Sequence, residues 1–397
     1  MRKKNLRNRL VYQSKKIASL VLAASMVFGL GNFSFVGEKT AKAAETVENV
    51  AHLSLTSDTA TANTQDLQNR PFTWDDATVY FLLTDRFKNG NTSNDDAYGR
   101  KTAASKMSDQ RATFHGGDFK GITDKIKDGY FDDLGVNAIW LTAPYEQIHG
   151  YFVGDKSFYH QSYHGYYVLD YTEPDQAYGT PEEFEALVDT AHSHGIRIVM
   201  DVVMNHAGYN DMQSMSEYNF GTLKSGWDSY YKNPPASDTS GYHDNIDYNS
   251  SASDWGRWWG NDWIRSGLPG YSEDKSSEIT QCLTGLPDFK TESTKQVSVP
   301  QFLQTKWQKE GTLSEKMSKY GSSNTVTGYI STWLAEWVET YGVDGFRCDT
   351  AKHVEMASWK KLKTKCVAAL KKWRQKNPTA VGANWDEDFW MTGEHWG

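Results

Sequence analysis

Short apolar runs alternate with amphipathic segments along most of the chain. Five runs rich in β-branched and aromatic residues are short enough to be buried strands, and they lie at 78–84, 137–142, 196–203, 343–347 and 389–394. Helical spacing of apolar residues predicts helices at 122–134, 180–194, 330–341 and 356–375. Strands that alternate with helices in this way favour a parallel sheet covered by helices.

The helix predicted at 180–194 has the clearest end signals. Thr180 suits the N-cap, Pro181 suits the first turn, and Gly195 suits the C-cap. His192 and His194 are two residues apart, on different sides of the helix. We therefore expect both histidines at the surface and no metal pair there.

The N-terminal part of the chain follows a different pattern. Residues 1–16 carry seven basic residues and no acidic one, residues 17–30 are apolar, and residues 41–44 offer a cleavage site with small side chains. This order is typical of a secretory signal peptide over residues 1–43. We therefore expect a secreted, extracellular or periplasmic protein without membrane association after cleavage. Residues 44–70 lack apolar periodicity and predict a linker or a disordered mature N-terminus.

Residues 206–300 interrupt the alternation of strands and helices. They are rich in Gly, Ser, Asp, Asn, Tyr and Trp, and the stretch is too long for a simple loop. We predict a subdomain inserted after the third strand. The main domain would then consist of a first part at 71–205 and a continuation at 301–397.

Polar side chains follow the predicted strands where each strand ends, and these are Asp85, Asn205, His206, Asp349 and Glu394. Both (β/α)8 barrels and doubly wound sheets place active sites at the carboxyl ends of their strands. The first strand is not followed by a glycine-rich turn, which favours the barrel. A barrel needs eight strands and only five are predicted, so the fold class that we expect is α/β, an incomplete (β/α)8 TIM barrel.

Composition narrows the function classes. The 42 Lys and Arg residues against 50 Asp and Glu residues give a formal net charge of −8, which argues against general nucleic-acid binding. Aromatic residues make up 14 % of the chain and suit stacking surfaces. The three cysteines cannot all pair, which excludes a disulfide scaffold. We expect a monomer with no nucleic-acid partner.

Four motifs resemble the alpha-amylase family of glycoside hydrolases. They are Asp201-Val-Val-Met-Asn-His206, Gly345-Phe-Arg-Cys-Asp-Thr-Ala-Lys-His353, Gly393-Glu-His-Trp-Gly397, and Tyr163-His-Gly-Tyr166 with the following Asp170. They occur in the family's order. Residues 286–293 and 390–394 look most like those of secreted or periplasmic bacterial alpha-amylases. The resemblance covers residues 71–397.

This resemblance implies a retaining hydrolase that cleaves internal α-1,4 bonds of starch or maltodextrin through a glycosyl-enzyme intermediate. It makes Asp349 the nucleophile and Glu394 the general acid/base. A retaining mechanism needs two neighbouring carboxyl groups, and these two residues end consecutive predicted strands. Arg347 precedes Asp349 by two residues and so lies on the same strand face, where its charge would keep Asp349 ionised.

The resemblance also implies contacts with the substrate. His164, Tyr166 and His206 would contact the sugar just before the cleaved bond. Lys352 and His353 would contact the acceptor side. Cys348 lies between Arg347 and Asp349 and so points away from the site, where we expect a small buried hydrophobic residue.

Oxygen-rich side chains predict bound Ca²⁺. The first set comprises Asn89, Asn91, Asn94, Asp95, Gly116 and Asp118. It resembles a calcium loop of cyclodextrin-forming relatives, but it has Asn89 where those relatives carry Asp. A second set would link the inserted subdomain to the barrel, and it comprises Asn205, Asp288 and the backbone carbonyl of His353.

Three functional interpretations remain open. The first is the hydrolase, and the second is a transglycosylase or a neopullulanase-like or cyclodextrin-acting relative. The third is a catalytically dead starch-binding protein. A third carboxylate of the family, on the seventh strand, would lie beyond Gly397. We therefore expect the chain to be the front portion of a longer enzyme and an inactive fragment by itself.

Overall fold

The computed structural model describes residues 71–154, 158–238 and 241–395. The signal peptide predicted at 1–43 and the linker predicted at 44–70 lie outside these residues. Within them, no helix combines the length and the apolar character that a membrane crossing requires.

Eleven strands and thirteen α-helices are present in the described residues. The strands are β1 Val79–Leu82, β2 Ala138–Leu141, β3 Tyr145–Gln147, β4 Phe152–Val153, β5 Tyr159–His160, β6 Val168–Pro174, β7 Arg197–Val202, β8 Ile264–Arg265, β9 Asp288–Phe289, β10 Gly345–Cys348 and β11 Trp390–Gly393. The helices are α1 Thr84–Phe87, α2 Arg100–Ala104, α3 Phe119–Lys127, α4 Tyr130–Asp133, α5 Pro181–Ser193, α6 Met212–Tyr218, α7 Trp227–Lys232, α8 Gly241–Asp244, α9 Ala252–Trp255, α10 Gln301–Glu310, α11 Leu313–Tyr320, α12 Val326–Tyr341 and α13 Met356–Lys376.

The main sheet has five strands in the order β1-β2-β7-β10-β11, and every neighbouring pair is parallel. These are the five strands predicted from the apolar runs, so the α/β class with parallel strands is confirmed. Arg347 on β10 lies beside Asp201 on β7 and beside Thr392 on β11. Because side chains alternate across a strand, these three residues share one face of the sheet.

The helices confirm most of the predicted ends. Thr180 caps α5 with its side chain, Glu183 completes a capping box, and Pro181 opens the helix. The single helix predicted at 122–134 is wrong, because Gly129 adopts a φ of +82° and separates α3 from α4. Glycine adopts this left-handed conformation without strain, so it interrupts an otherwise continuous amphipathic pattern.

The prediction that His192 lies at the surface is also wrong. Its side chain is buried, and its Nε2 lies 2.9 Å from a carboxylate oxygen of Asp344. His194 is more exposed and pairs with Asp132. The burial of His192 depends on a partner that is 152 residues away, which helical spacing does not reveal.

An antiparallel hairpin that the apolar pattern did not predict lies between β2 and β7. Strand β3 pairs with β6 with two irregularities of register, and both strands are largely buried. Further along the chain, residues 206–300 hold the short helices α6 to α9 and the two-residue strands β8 and β9, and β8 pairs with β9. The hairpin was missed because Tyr145–Gln147 contains two polar residues that become buried.

Candidate active site

A single guanidinium joins three carboxylates at the carboxyl ends of neighbouring strands. Arg347 Nη1 lies 3.0 Å from Oδ1 of Asp201 and 3.0 Å from Oδ1 of Asp349, and its Nη2 lies 2.9 Å from Oε1 of Glu394. Asp349 follows the last residue of β10 and Glu394 follows the last residue of β11. We call these four residues the rim cluster.

The backbone after β10 brings the two outer carboxylates together. Thr350 has a φ of +46°, which is unusual for a β-branched residue, and its N–H donates to Oε2 of Glu394 over 3.1 Å. The N–H of Glu394 in turn donates to the carbonyl of Cys348 over 2.9 Å. Backbone strain of this kind is concentrated at functional sites.

The electrostatics of the rim cluster are unbalanced, since one cation faces three acids. Burial raises the pKa of Asp201 to about 7, against the lowering effect of Arg347, and the neighbouring Asp349 raises it further. Burial also raises the pKa of Asp349, while Arg347 lowers it. The same acids raise the pKa of Arg347, so its positive charge is permanent.

Asp201 belongs to the rim cluster but was not predicted from the sequence as a site residue. It accepts hydrogen bonds from Nη1 of Arg347, from the indole N–H of Trp140 at 3.2 Å and from the Tyr166 hydroxyl at 3.3 Å. Its side chain is fully buried. Asp201 opens one of the quoted motifs but lies inside a strand, so no strand-end signal drew attention to it.

His164, Tyr166 and His206 lie together beside the rim cluster. The rings of His164 and Tyr166 stack with centroids 5.2 Å apart, and Nδ1 of His164 accepts the Tyr166 N–H at 3.0 Å. Burial lowers the pKa of His164 to about 3 and the pKa of His206 to about 4. Both imidazoles are therefore neutral near pH 7, and the ring proton of His164 lies on Nε2, where it can be donated to a sugar hydroxyl.

His206 has a different local role in the structure. Its Nε2 lies 3.2 Å from the carbonyl of Tyr166, and its Nδ1 lies 3.4 Å from the side-chain nitrogen of Asn205. Both ring nitrogens thus have protein partners. In this arrangement His206 holds the backbone that carries Tyr166.

Lys352 and His353 follow the rim cluster on a short 3₁₀ turn, Ala351–His353. Both contact Glu278 from the segment 206–300: Lys352 Nζ lies 3.4 Å from its Oε1, and Nδ1 of His353 lies 2.5 Å from its carbonyl oxygen. Glu278 was not predicted, because it belongs to no motif and its side chain is largely exposed. Cys348 is buried, as expected, and burial raises its pKa.

The first predicted calcium set is only partly free to bind a cation. Asn89 contacts Asp95 at 2.6 Å, and a side chain at Gly116 would collide with both residues. Asp95 also pairs with Lys101, and Asp118 caps α3 while accepting the N–H groups of Gly90 and Asn91. Asn91 binds Ser93. Both polar side-chain atoms of Asn94 are buried without a partner, and its amide oxygen is the atom that fits a bound cation.

The second predicted calcium set contains a clearer signal. Asp288 is buried, its Oδ1 has no partner, and its Oδ2 lies 2.9 Å from Nη1 of Arg265. The N–H of Phe289 donates to the carbonyl of Asn205 over 2.8 Å, which places the two predicted side-chain ligands next to each other. Burial raises the pKa of Asp288 to about 7. A buried carboxylate oxygen without a donor fits a hard cation.

One group of three carboxylates in the described residues has ligand atoms within 4.8 Å of one another, and it is Glu146, Asp170 and Glu173. It belongs to neither predicted calcium set. Lys306 Nζ lies among these carboxylates, 2.7 Å from Glu146 and 3.3 Å from Asp170, and it also contacts Glu173 and Glu310. We call these five residues the Lys306 cluster. The ammonium group already supplies the cation there.

Comparisons with known proteins agree with the motifs. The sequence profile "Alpha amylase, catalytic domain" matches residues 81–295. The chain is 44 % identical to the periplasmic alpha-amylase of Escherichia coli (strain K12), over 82 % of this chain and 48 % of that protein. It is 31 % identical to a cyclomaltodextrin glucanotransferase of Thermoanaerobacterium thermosulfurigenes, over 58 % of this chain and 30 % of that protein.

Alpha-amylase 1 of Schwanniomyces occidentalis is 27 % identical, over 75 % of this chain and 44 % of that protein. The chain therefore spans about half or less of the length of the curated relatives that it matches. The profile match covers more than half of this chain and includes the strands β2 and β7 and the hairpin between them. The chain belongs to the alpha-amylase family of glycoside hydrolases.

Proposed function

We propose that the rim cluster is the catalytic centre of a secreted or periplasmic retaining α-glucan hydrolase that cleaves internal α-1,4 bonds of starch or maltodextrin. The observation that carries this proposal is the shared guanidinium, which holds Asp349 and Glu394 side by side at the ends of adjacent strands. Retaining enzymes need two carboxyl groups about 5–5.5 Å apart. The similarity to a periplasmic alpha-amylase supports the choice of substrate and of compartment.

In the first step, a carboxylate oxygen of Asp349 attacks the anomeric carbon and forms the glycosyl-enzyme ester. The glycosidic C–O bond breaks, and Glu394 transfers its proton to the departing oxygen. In the second step, Glu394 removes a proton from water, the water oxygen attacks the anomeric carbon, and Asp349 leaves as a carboxylate. Burial raises the pKa of Asp349, and Arg347 opposes that effect and so favours the ionised form that attacks.

The remaining residues orient the substrate. We assign Tyr166 and the Nε2–H of His164 to the sugar before the cleaved bond, with His206 supporting Tyr166 from behind. Lys352 and His353 are assigned to the acceptor side. Ca²⁺ would be held by Asn205, Asp288 and the carbonyl of His353. These ligands come from the end of β7, from β9 and from the turn after β10, so the ion would hold the three segments together.

The test is the release of reducing sugar from soluble starch by this chain and by a version extended to the length of its relatives. Asp349→Asn and Glu394→Gln should each lower the rate by on the order of 10³-fold, because each removes a group that acts at the reacting bond. Asp388→Asn, an exposed acid before β11, is the matched control and should leave the rate unchanged. Equal rates for Asp349→Asn and the control would refute the proposal.

Transfer to a sugar acceptor is the second candidate reaction. The contact of Glu278 with Lys352 favours it, because an acid from the segment 206–300 shapes the acceptor side. Similarity to a cyclomaltodextrin glucanotransferase points the same way. Chromatography of the products separates the two reactions, since hydrolysis yields only shorter linear chains and transfer also yields longer or cyclic ones. A starch-binding protein without activity would retain starch but release no sugar in either length of chain.

A further inference from the structure

Helix α13 carries an unusual concentration of positive charge for this acidic chain. Residues 356–376 contain eight Lys and Arg residues and no Asp or Glu, whereas the whole chain has a formal net charge of −8. The proposed hydrolase mechanism uses none of these residues. The helix therefore presents a local charge that is opposite in sign to that of the rest of the protein.

Five of the seven lysines of α13 are exposed, whereas Lys363 and Lys365 are half-buried and donate to the backbone carbonyls of Phe389 and Gly328. Its apolar side is buried, mainly through Trp359, Leu362, Cys366, Leu370 and Trp373. Lys360 and Lys371 are eleven residues apart, which is three helical turns or about 16 Å along the axis, and Lys361 and Lys372 repeat that spacing. Four exposed lysines thus form two parallel rows on one face.

Internal partners neutralise only part of this charge. Lys372 and Lys376 share the single carboxylate of Glu339, at 3.1 and 2.7 Å. Within the described part of the chain, Lys360, Lys361 and Lys371 have no acidic partner. We define these three residues together with Lys372 and Lys376 as the lysine face.

We propose that the lysine face binds linear inorganic polyphosphate, a flexible polyanion of phosphate groups that carries no sugars or bases. Ammonium groups on long side chains bind phosphate as point charges, and rows of lysines can follow successive phosphates along a polymer. This binding function is separate from the proposed hydrolysis.

A linear polymer fits this face better than a flat anionic membrane. The apolar side of α13 is packed against the protein, and Met356 is the one large hydrophobic side chain of this helix that is left exposed to enter a bilayer. A membrane would also approach the acidic remainder of the surface and be repelled within a Debye length of about 8 Å. A narrow polymer can contact the lysine face alone.

The direct test is lysine footprinting of the full chain with long-chain inorganic polyphosphate as the probe. Acetylation rates of individual lysines are measured by mass spectrometry with and without the probe. Lys360, Lys361 and Lys371 should be protected at least threefold, whereas Lys120, Lys125 and Lys127 on helix α3 should react at unchanged rates. Because this readout is local and uses the unaltered sequence, it depends neither on the N-terminal basic segment nor on the folding of a variant.

A pair of matched variants gives the affinity. Lys360→Gln/Lys361→Gln/Lys371→Gln should weaken polyphosphate binding about tenfold and reduce the slope of log affinity against log salt by about 2, at about 0.7 per lost phosphate contact. Lys120→Gln/Lys125→Gln/Lys127→Gln removes the same charge from α3 and should change neither. No protection on α13, equal effects of the two triple variants, or equally tight binding to vesicles of anionic phospholipid would each overturn the proposal.

Discussion

The rim cluster and the Lys306 cluster both combine a buried cation with several carboxylates, but they differ in how fully the negative charges are compensated. In each, a buried cation contacts at least three carboxylates. At Lys306 further cations and donors assist: Lys316 lies 3.4 Å from Glu173, His149 lies 2.6 Å from Glu146, and the Trp307 indole donates to Asp170 over 2.7 Å. Among the residues that the structure describes, Arg347 is the one cation in the salt-bridge network of the rim cluster.

The pKa values reflect this difference in compensation. Lys306 lowers the pKa of Glu146 and of Asp170 despite their burial. At the rim, burial outweighs Arg347, and the pKa values of Asp201 and Asp349 are raised. Glu173, whose pKa is raised to about 7, and Glu310, whose pKa burial also raises, are the exceptions in the Lys306 cluster and lie at its more exposed side. The comparison indicates that the Lys306 cluster stabilises the fold, whereas the rim cluster costs stability and retains reactive carboxylates.

Removing the cation of the Lys306 cluster should have the largest effect on stability. Lys306→Met leaves Glu146 and Asp170 buried without their main partner, so the free energy of unfolding should fall by about 3–5 kcal/mol. Urea denaturation measures the change. Lys309→Met on the same helix is the control, because that lysine is exposed, and it should cost less than about 1 kcal/mol. Similar losses in both variants would show that the Lys306 cluster is not a structural ion-pair network.

Calcium should give the next largest effect, through Asp288. The unpartnered Oδ1 of Asp288 predicts stabilisation of about 2.7 kcal/mol when free Ca²⁺ is a hundredfold above its dissociation constant. Scanning calorimetry in calcium and in chelator should show a higher melting temperature with calcium. Asp288→Asn should remove the response at this site, whereas Asp262→Asn, a change to an exposed acid in the same segment, should retain it. An identical response of both variants would contradict the assignment.

The two clusters should also change the free energy of unfolding in different ranges of pH. The pKa of His149 is raised to about 9 by Glu146 and Glu217, although burial acts against them. Its stabilising contribution is therefore complete below about pH 6.5 and is lost as the pH rises through 9, about 3 kcal/mol in total. The raised pKa of Asp201 acts in a lower window, so stability should fall as the pH rises from about 4 to 7.

Unfolding free energies of His149→Gln and the unaltered chain, measured at about pH 4.5, 6, 7.5 and 9, separate these contributions. The variant should lose the dependence between pH 6.5 and 9 and keep the dependence at lower pH. His194→Gln, which removes a more exposed histidine, is the control. A retained alkaline slope in His149→Gln would place its origin elsewhere.

The smallest expected change in the free energy of unfolding is an increase and not a loss. Asp349→Asn removes one of three acids that share Arg347, so the free energy of unfolding should rise by about 1 kcal/mol at pH 7 while activity is lost. Glu146→Gln, the corresponding change in the Lys306 cluster, should instead destabilise the fold. Chemical denaturation of both variants gives the two signs directly. Destabilisation by both would remove the distinction between the clusters.

The sequence predicted the features that depend on local patterns. The five main strands are runs of β-branched and aromatic residues, and Asp349 and Glu394 were singled out because each lies at a strand end, while the roles proposed for them come from the family resemblance. The Lys306 cluster was not predicted, because its members extend from Glu146 to Glu310 and meet only through the unpredicted β3–β6 hairpin and helix α10. His192 was misjudged for the same reason, since its burial depends on the distant Asp344.

The covalent intermediate is the most direct test of the central claim that Asp349 is the nucleophile. A preparation that hydrolyses maltodextrin is treated with a maltosyl fluoride whose second, ring-bound fluorine slows breakdown of the glycosyl-enzyme, and its peptides are then examined by mass spectrometry. We predict a glycosyl adduct on Asp349 and none in Asp349→Asn. Hydrolysis with inversion at the anomeric carbon, or an adduct on Glu394 or any other residue, would contradict the account.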